Sequence, residues 1–125
     1  MIVFQNRRPG KLPSPLVLLV GTGLIGSMVA ASLQRWDFQP LRESRLDWND
    51  AERLDRALAD ASADVSALAA ELASPVQIAW CAGSGSLGST DRQLLAERGA
   101  FQAVLDLSLG LSRDHAVGFH FVSSA

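Results

Sequence analysis

The sequence predicts an α/β protein with an open, mostly parallel sheet and helices on both faces. Three observations carry this. Short apolar runs at 16–20, 76–81 and 119–122 alternate with longer stretches of helical spacing, glycine-rich turns follow two of the runs, and the first run shows no polar alternation. A length of 125 residues fits one domain, and 48% hydrophobic with 19% charged residues can fill an ordinary core.

Residues 1–15, which contain Pro9, Gly10, Pro13 and Pro15, read as a poorly ordered leader, and the domain is expected over 16–125. Leu16-Val-Leu-Leu-Val20 is uniformly aliphatic, the pattern of a central strand covered on both faces. Residues 12–34 are uncharged and follow Arg7, Arg8 and Lys11, which superficially resembles a signal or membrane anchor. Yet the continuous aliphatic run is five residues, against the roughly 20 that a bilayer needs. A helix is expected over 24–36, where Ile25, Met28, Val29 and Leu33 recur at helical spacing. Residues 38–42 read as a second strand, placed at an edge because Pro40 cannot donate to a ladder.

Residues 43–49 are expected to be a loop, so the usual third strand is lacking: about four residues cannot make a parallel crossover, which takes a dozen or more. A long helix starts at Asp50, carries Leu54, Leu58, Ala61, Val65, Leu68 and Leu72 on one face, and closes before Pro75. Residues 76–81 form the next strand, and 82–89 a glycine and serine loop. Thr90 is the expected N-cap of a helix bearing Leu94, Leu95, Phe101, Val104 and Leu105, with Asp91 at its positive end. Residues 119–122 make a last strand, leaving an apolar edge that a second copy could cover; a homo-oligomer or a sticky monomer is the expectation.

A net charge of −2 leaves no basic surplus for nucleic acid, and no membrane association is expected. The single cysteine, Cys81, cannot close an intrachain disulfide or form a metal cluster, which favours a reducing, cytoplasmic setting. Gly21-Thr-Gly-Leu-Ile-Gly26 matches the GxGxxG pattern between a buried strand and an amphipathic helix. The first glycine allows a tight turn, the second lets the backbone approach a pyrophosphate, and the third lets helix and strand pack closely, so Gly21, Thr22, Gly23, Leu24, Ile25 and Gly26 are candidate dinucleotide-binding residues. About 20 residues on, Glu43 would hold the ribose of NAD, whereas Arg42 and Arg45 would suit the 2'-phosphate of NADP; the choice stays open.

This motif, the strand end Trp80-Cys-Ala-Gly83 and the terminal Phe121-Val-Ser-Ser-Ala125 together resemble the NAD-dependent epimerase/dehydratase branch of the short-chain dehydrogenase/reductase family, over roughly residues 16–125. The resemblance implies a Rossmann-like domain truncated after the equivalent of the fifth strand. It implies that Ala82 and Gly83 border the cofactor, and that Ser124, with Ser123 beside it, is the serine that bonds the reacting oxygen of a nucleotide sugar or similar polar substrate. Trp80 and Cys81 stand where many relatives have asparagines. The family's Tyr and Lys pair is missing: the sequence has no tyrosine, and Lys11 is the one lysine. As given, the chain is therefore expected to be catalytically incomplete. The cofactor domain of a prephenate-dehydrogenase-like enzyme and a non-catalytic dinucleotide-binding or interaction module are the alternatives. His115 and His120 read as packed or edge histidines, Cys81 as an inert buried thiol, and Trp36, Trp48 and Trp80 as core or interface aromatics.

Overall fold

A computed structural model of the chain describes residues 1–8, 14–83 and 88–122. Its elements run β1 (Ile2–Asn6), β2 (Leu16–Val20), α1 (Leu24–Arg35), β3 (Phe38–Glu43), α2 (Ala51–Leu72), β4 (Val76–Trp80), α3 (Asp91–Leu111) and β5 (Val117–Phe121). The strands form one open sheet in the order β3-β1-β2-β4-β5.

The aliphatic β2 sits at the centre because both its faces are covered. Leu16, Leu18 and Val20 enter a core shared with α2 and α3, while Val17 and Leu19 enter a second core against α1. Alternate side chains of a strand point to opposite faces, so a run without polar residues can be satisfied only by helices on both. On the α2 and α3 side, Leu54, Leu58, Ala61 and Val65 pack with Val104, Leu107 and Leu111 over Ile78 and Trp80. Trp80 is fully buried, its ring edge-on to Trp48 at 5.4 Å and to Phe101 at 5.0 Å between centroids. On the other side α1 covers Phe4, Val17 and Leu19 with Ile25, Val29 and Leu33, but leaves Leu24, Met28 and Trp36 exposed. Of the two places expected for Trp36, core or interface, its 79% exposure excludes the core.

Two expectations need correction. The leader does not stay unstructured: Ile2–Asn6 is a strand, with Val3 and Phe4 in opposite cores and Phe4 fully buried. The prolines and glycine that suggested disorder fall after this strand, at positions 9–15, and the β-branched run at its start was the signal for it. The sheet is also mixed rather than mostly parallel. β1 runs antiparallel to both β2 and β3, while β2 with β4 and β4 with β5 are parallel.

The edge position of β3 agrees with its Pro40, which faces Phe4 in the register beside a local irregularity between Val3 and Phe4. Its neighbour in the sheet is β1. Of the loop expected over 43–49, Glu43 belongs to β3 and 44–49 hold no strand; α2 follows, capped by the Asp50 carboxylate accepting from the Arg53 amide. β5 forms the opposite edge, with Phe121 exposed. Among the described residues no helix is long and apolar enough to cross a membrane.

Because β1 bridges β2 and β3 and fills both cores, truncating Phe4 to alanine is expected to cost about 3–5 kcal/mol. Urea unfolding checks this: a dispensable leader strand would leave the midpoint unchanged.

Candidate functional site

The parallel pair β2 and β4 ends level, Val20 opposite Trp80, and the Cys81 amide donates to the Val20 carbonyl at 2.7 Å to extend the ladder by one bond. From this common end the chain leaves in two directions. α1 departs from β2 over one face, and α3 departs from β4 over the other. Such a divergence opens a crevice outside the carboxyl ends of the strands, the place where open α/β sheets bind ligands.

A cleft of about 680 Å³ lies there, within the usual range for small-molecule sites. The first loop gives it Gly21, Thr22, Gly23, Leu24 and Ile25; the end of β4 gives Cys81, Ala82 and Gly83. Thus seven of the residues singled out from the sequence for a cofactor meet at one place.

The glycines have distinct surroundings. Gly21 has φ +96°, and a side chain on it would run into the backbone of Ala82, with the Ala82 Cα at 2.7 Å. Gly26 is buried in the first turn of α1, where a Cβ would collide with the Gly21 carbonyl and stand 2.7 Å from its carbon. These two let the loop, the helix and the end of β4 touch. Gly23 differs: a Cβ there would meet nothing within 4 Å, and its φ of −68° is open to any residue. Gly23 is also the N-cap of α1 and supplies no side chain to bond the helix amides, and no acidic residue stands in the first turn. The amides of Leu24 and Ile25 at the cleft wall therefore have no acceptor within their own helix. By contrast, α3 is closed by a capping box in which Thr90 Oγ1 accepts from the Gln93 amide at 3.2 Å and Gln93 Oε1 accepts from the Thr90 amide at 2.8 Å.

Arg42 and Glu43 are not brought to this cleft. β1 stands between β2 and β3, which moves the end of β3 one further strand spacing away, about 10 Å from β2 in all. Arg42 turns to α2, where its guanidinium pairs with the Asp64 carboxylate, and Glu43 lies beside the Met1 amino group, which donates to the Ser44 carbonyl at 2.9 Å. Ser123 and Ser124 lie outside the described residues. The histidines are elsewhere, His115 with Nε2 at 2.9 Å from Ser66 Oγ and His120 with Nε2 at 2.6 Å from Gln77 Oε1.

Five further residues line the cleft that the sequence did not assign to a ligand site: Trp48 and Asn49 from the loop before α2, and Gln93, Ala96 and Glu97 from α3. The last three share one helix face at i, i+3 and i+4, which the Thr90 N-cap made countable in advance. Trp48 and Asn49 carried no such signal, since only packing on Trp80 brings their loop across. Glu97 Oε1 lies 3.5 Å from where a Gly83 side chain would begin. Among the described lining residues Glu97 carries the formal charge; none is lysine, arginine or histidine.

Compared with protein-family models, curated protein sequences and solved structures, the chain matches none of them.

Cys81 lines the cleft yet is buried, and desolvation pushes its thiol pKa up. The thiolate is the nucleophile, so the native thiol is expected to react with a disulfide reagent at pH 8 far more slowly than the same protein in denaturant. Equal rates in the two conditions would show that Cys81 is open to solvent.

Proposed function

We propose that the cleft at the ends of β2 and β4 binds a nicotinamide adenine dinucleotide, with its pyrophosphate against Gly23 and the first amides of α1. The observation that carries this reading is the contrast among the three motif glycines. Packing accounts for Gly21 and Gly26, but nothing among the described residues calls for glycine at 23, where the missing side chain leaves backbone bare to the cleft. A backbone that must meet a phosphate closely is a reason for glycine at that position. The uncapped helix start supplies partial positive charge where an anion would sit.

On this reading the units β2-α1-β3 and β4-α3-β5 are the two halves of a Rossmann-like domain, interrupted by the antiparallel β1. NAD suits the lining better than NADP, because Arg42 is engaged by Asp64 and among the described residues no cation lines the cleft to receive a 2'-phosphate. The epimerase/dehydratase resemblance bears on chemistry through Ser124 and through a Tyr and Lys pair whose tyrosine this sequence lacks. The function proposed for these residues is therefore holding the cofactor, with turnover of a polar substrate outside what they supply.

Paired glycine substitutions separate site from scaffold. Gly23→Ala is expected to fold with unchanged melting temperature and to lose about tenfold or more in dinucleotide affinity by calorimetry. Gly26→Ala is expected to destabilise the fold by about 1–3 kcal/mol, as overpacking does. Unchanged affinity in a folded Gly23→Ala protein, or no binding of NAD or NADP by the unaltered chain, would sink the reading.

A further inference from the structure

The two edges of the sheet are guarded unequally. β3 carries Pro40, Arg42 and Glu43, a missing donor and charged side chains of the kind that keep an edge strand from pairing with another chain. β5, at the opposite edge, reads Val117-Gly-Phe-His-Phe121 and holds no proline, lysine, arginine or carboxylate. Among the described residues no strand lies beyond it.

The ladder with β4 fixes where the backbone groups of β5 point. The Val76 amide donates to the Ala116 carbonyl and the Val122 amide to the Trp80 carbonyl, both at 2.9 Å. In a parallel ladder one residue turns its amide and carbonyl to the same neighbour, and the next residue turns both away. Gly118 and His120 therefore bond β4, while Val117, Phe119 and Phe121 direct their amides and carbonyls out of the sheet. The side chains are sorted as well. Phe119 and Phe121 lie on the α3 face, edge-on to Phe101 at 6.0 and 5.6 Å between centroids, whereas His120 reaches Gln77 on the other face, Nε2 at 2.6 Å from Oε1.

We propose that β5 is the interface between two copies of this chain, paired antiparallel about a two-fold axis through Phe119. In that register Phe119 faces its own counterpart, and Val117 of each copy faces Phe121 of the other. These are the residues with outward groups, and such pairs exchange both of their backbone bonds. The faces match too. Val117 and the phenylalanines meet on the α3 side, where Phe121 is 62% exposed in the single copy, and His120 meets Gly118, so no charge is set against a like charge. Moving the axis to His120 would oppose the two imidazoles and pair fewer of the outward residues within β5. An uncharged strand that is complementary to itself in both backbone and side chains selects a second copy as its partner. A contact confined to one strand edge is small, so the dimer is weak, in the micromolar range. It does not depend on what the cleft binds.

Sedimentation velocity of the full chain over a concentration series, with thermal melts of each variant, tests this. The unaltered chain is expected to pass from monomer to dimer in the micromolar range. Phe121→Lys, which puts a guard on the edge, is expected to keep its fold and to weaken self-association by about tenfold or more. Met28→Lys, on the exposed side of α1, should associate as the unaltered chain does. Amide hydrogen exchange reads the register without any substitution: the amides of Val117, Phe119 and Phe121 should gain protection as concentration rises, and those of Gly118 and His120 should be protected throughout. A chain that stays monomeric to millimolar concentration, association unaffected by Phe121→Lys, dispersal by Met28→Lys, or exchange at 117, 119 and 121 that ignores concentration overturns the proposal.

Discussion

The contact between the Gly21 turn, Gly26 of α1 and the backbone following β4 is the constraint on which the rest of the molecule depends. Two parallel strands ending level do not by themselves make a site. The crevice forms here because two positions closed to any side chain, Gly21 in the loop and Gly26 in the first turn of α1, bring α1 down against the strand ends, while α3 is carried to the other face. The same contact buries Cys81 beneath the turn and fixes where the first amides of α1 lie. The cleft is thus a by-product of how closely helix and strand must pack, not an addition to the fold.

The inserted β1 shows what such a design tolerates. It widens the sheet on the side of β3 without disturbing β2 and β4, because its two antiparallel ladders supply their own backbone bonds and its side chains fill both cores. Its cost falls on the far strand. Arg42 and Glu43 sit at the end of β3 as the spacing from the glycine motif would place them, but an extra strand separates them from β2, and Arg42 finds its partner on α2. Counting along a chain measures contour length, and an interposed strand changes distance in space without changing that count.

Charge in the cleft is distributed with similar economy. α2 and α3 close their first turns with side chains from Asp50 and Thr90, whereas α1 begins at a glycine that offers its amides no side-chain cap. Opposite them stands one carboxylate.

The sequence by itself determined the local elements: the unpolar run that demands two covered faces, the helix starts at Asp50 and Thr90, the edge status that Pro40 imposes, and the glycine turn. These are short-range consequences of periodicity, capping and backbone freedom, so they are legible residue by residue. Only the tertiary structure decided that Ile2–Asn6 enters the sheet between β2 and β3, and that Trp48, Asn49, Gln93 and Glu97 share a cleft with the glycine turn. The physical reason is that strand pairing and cleft lining join groups far apart in the chain. Hydrogen bonds between strands carry no side-chain signature, and a loop drawn across by one buried indole, as Trp48 is by Trp80, leaves no pattern in its own neighbours.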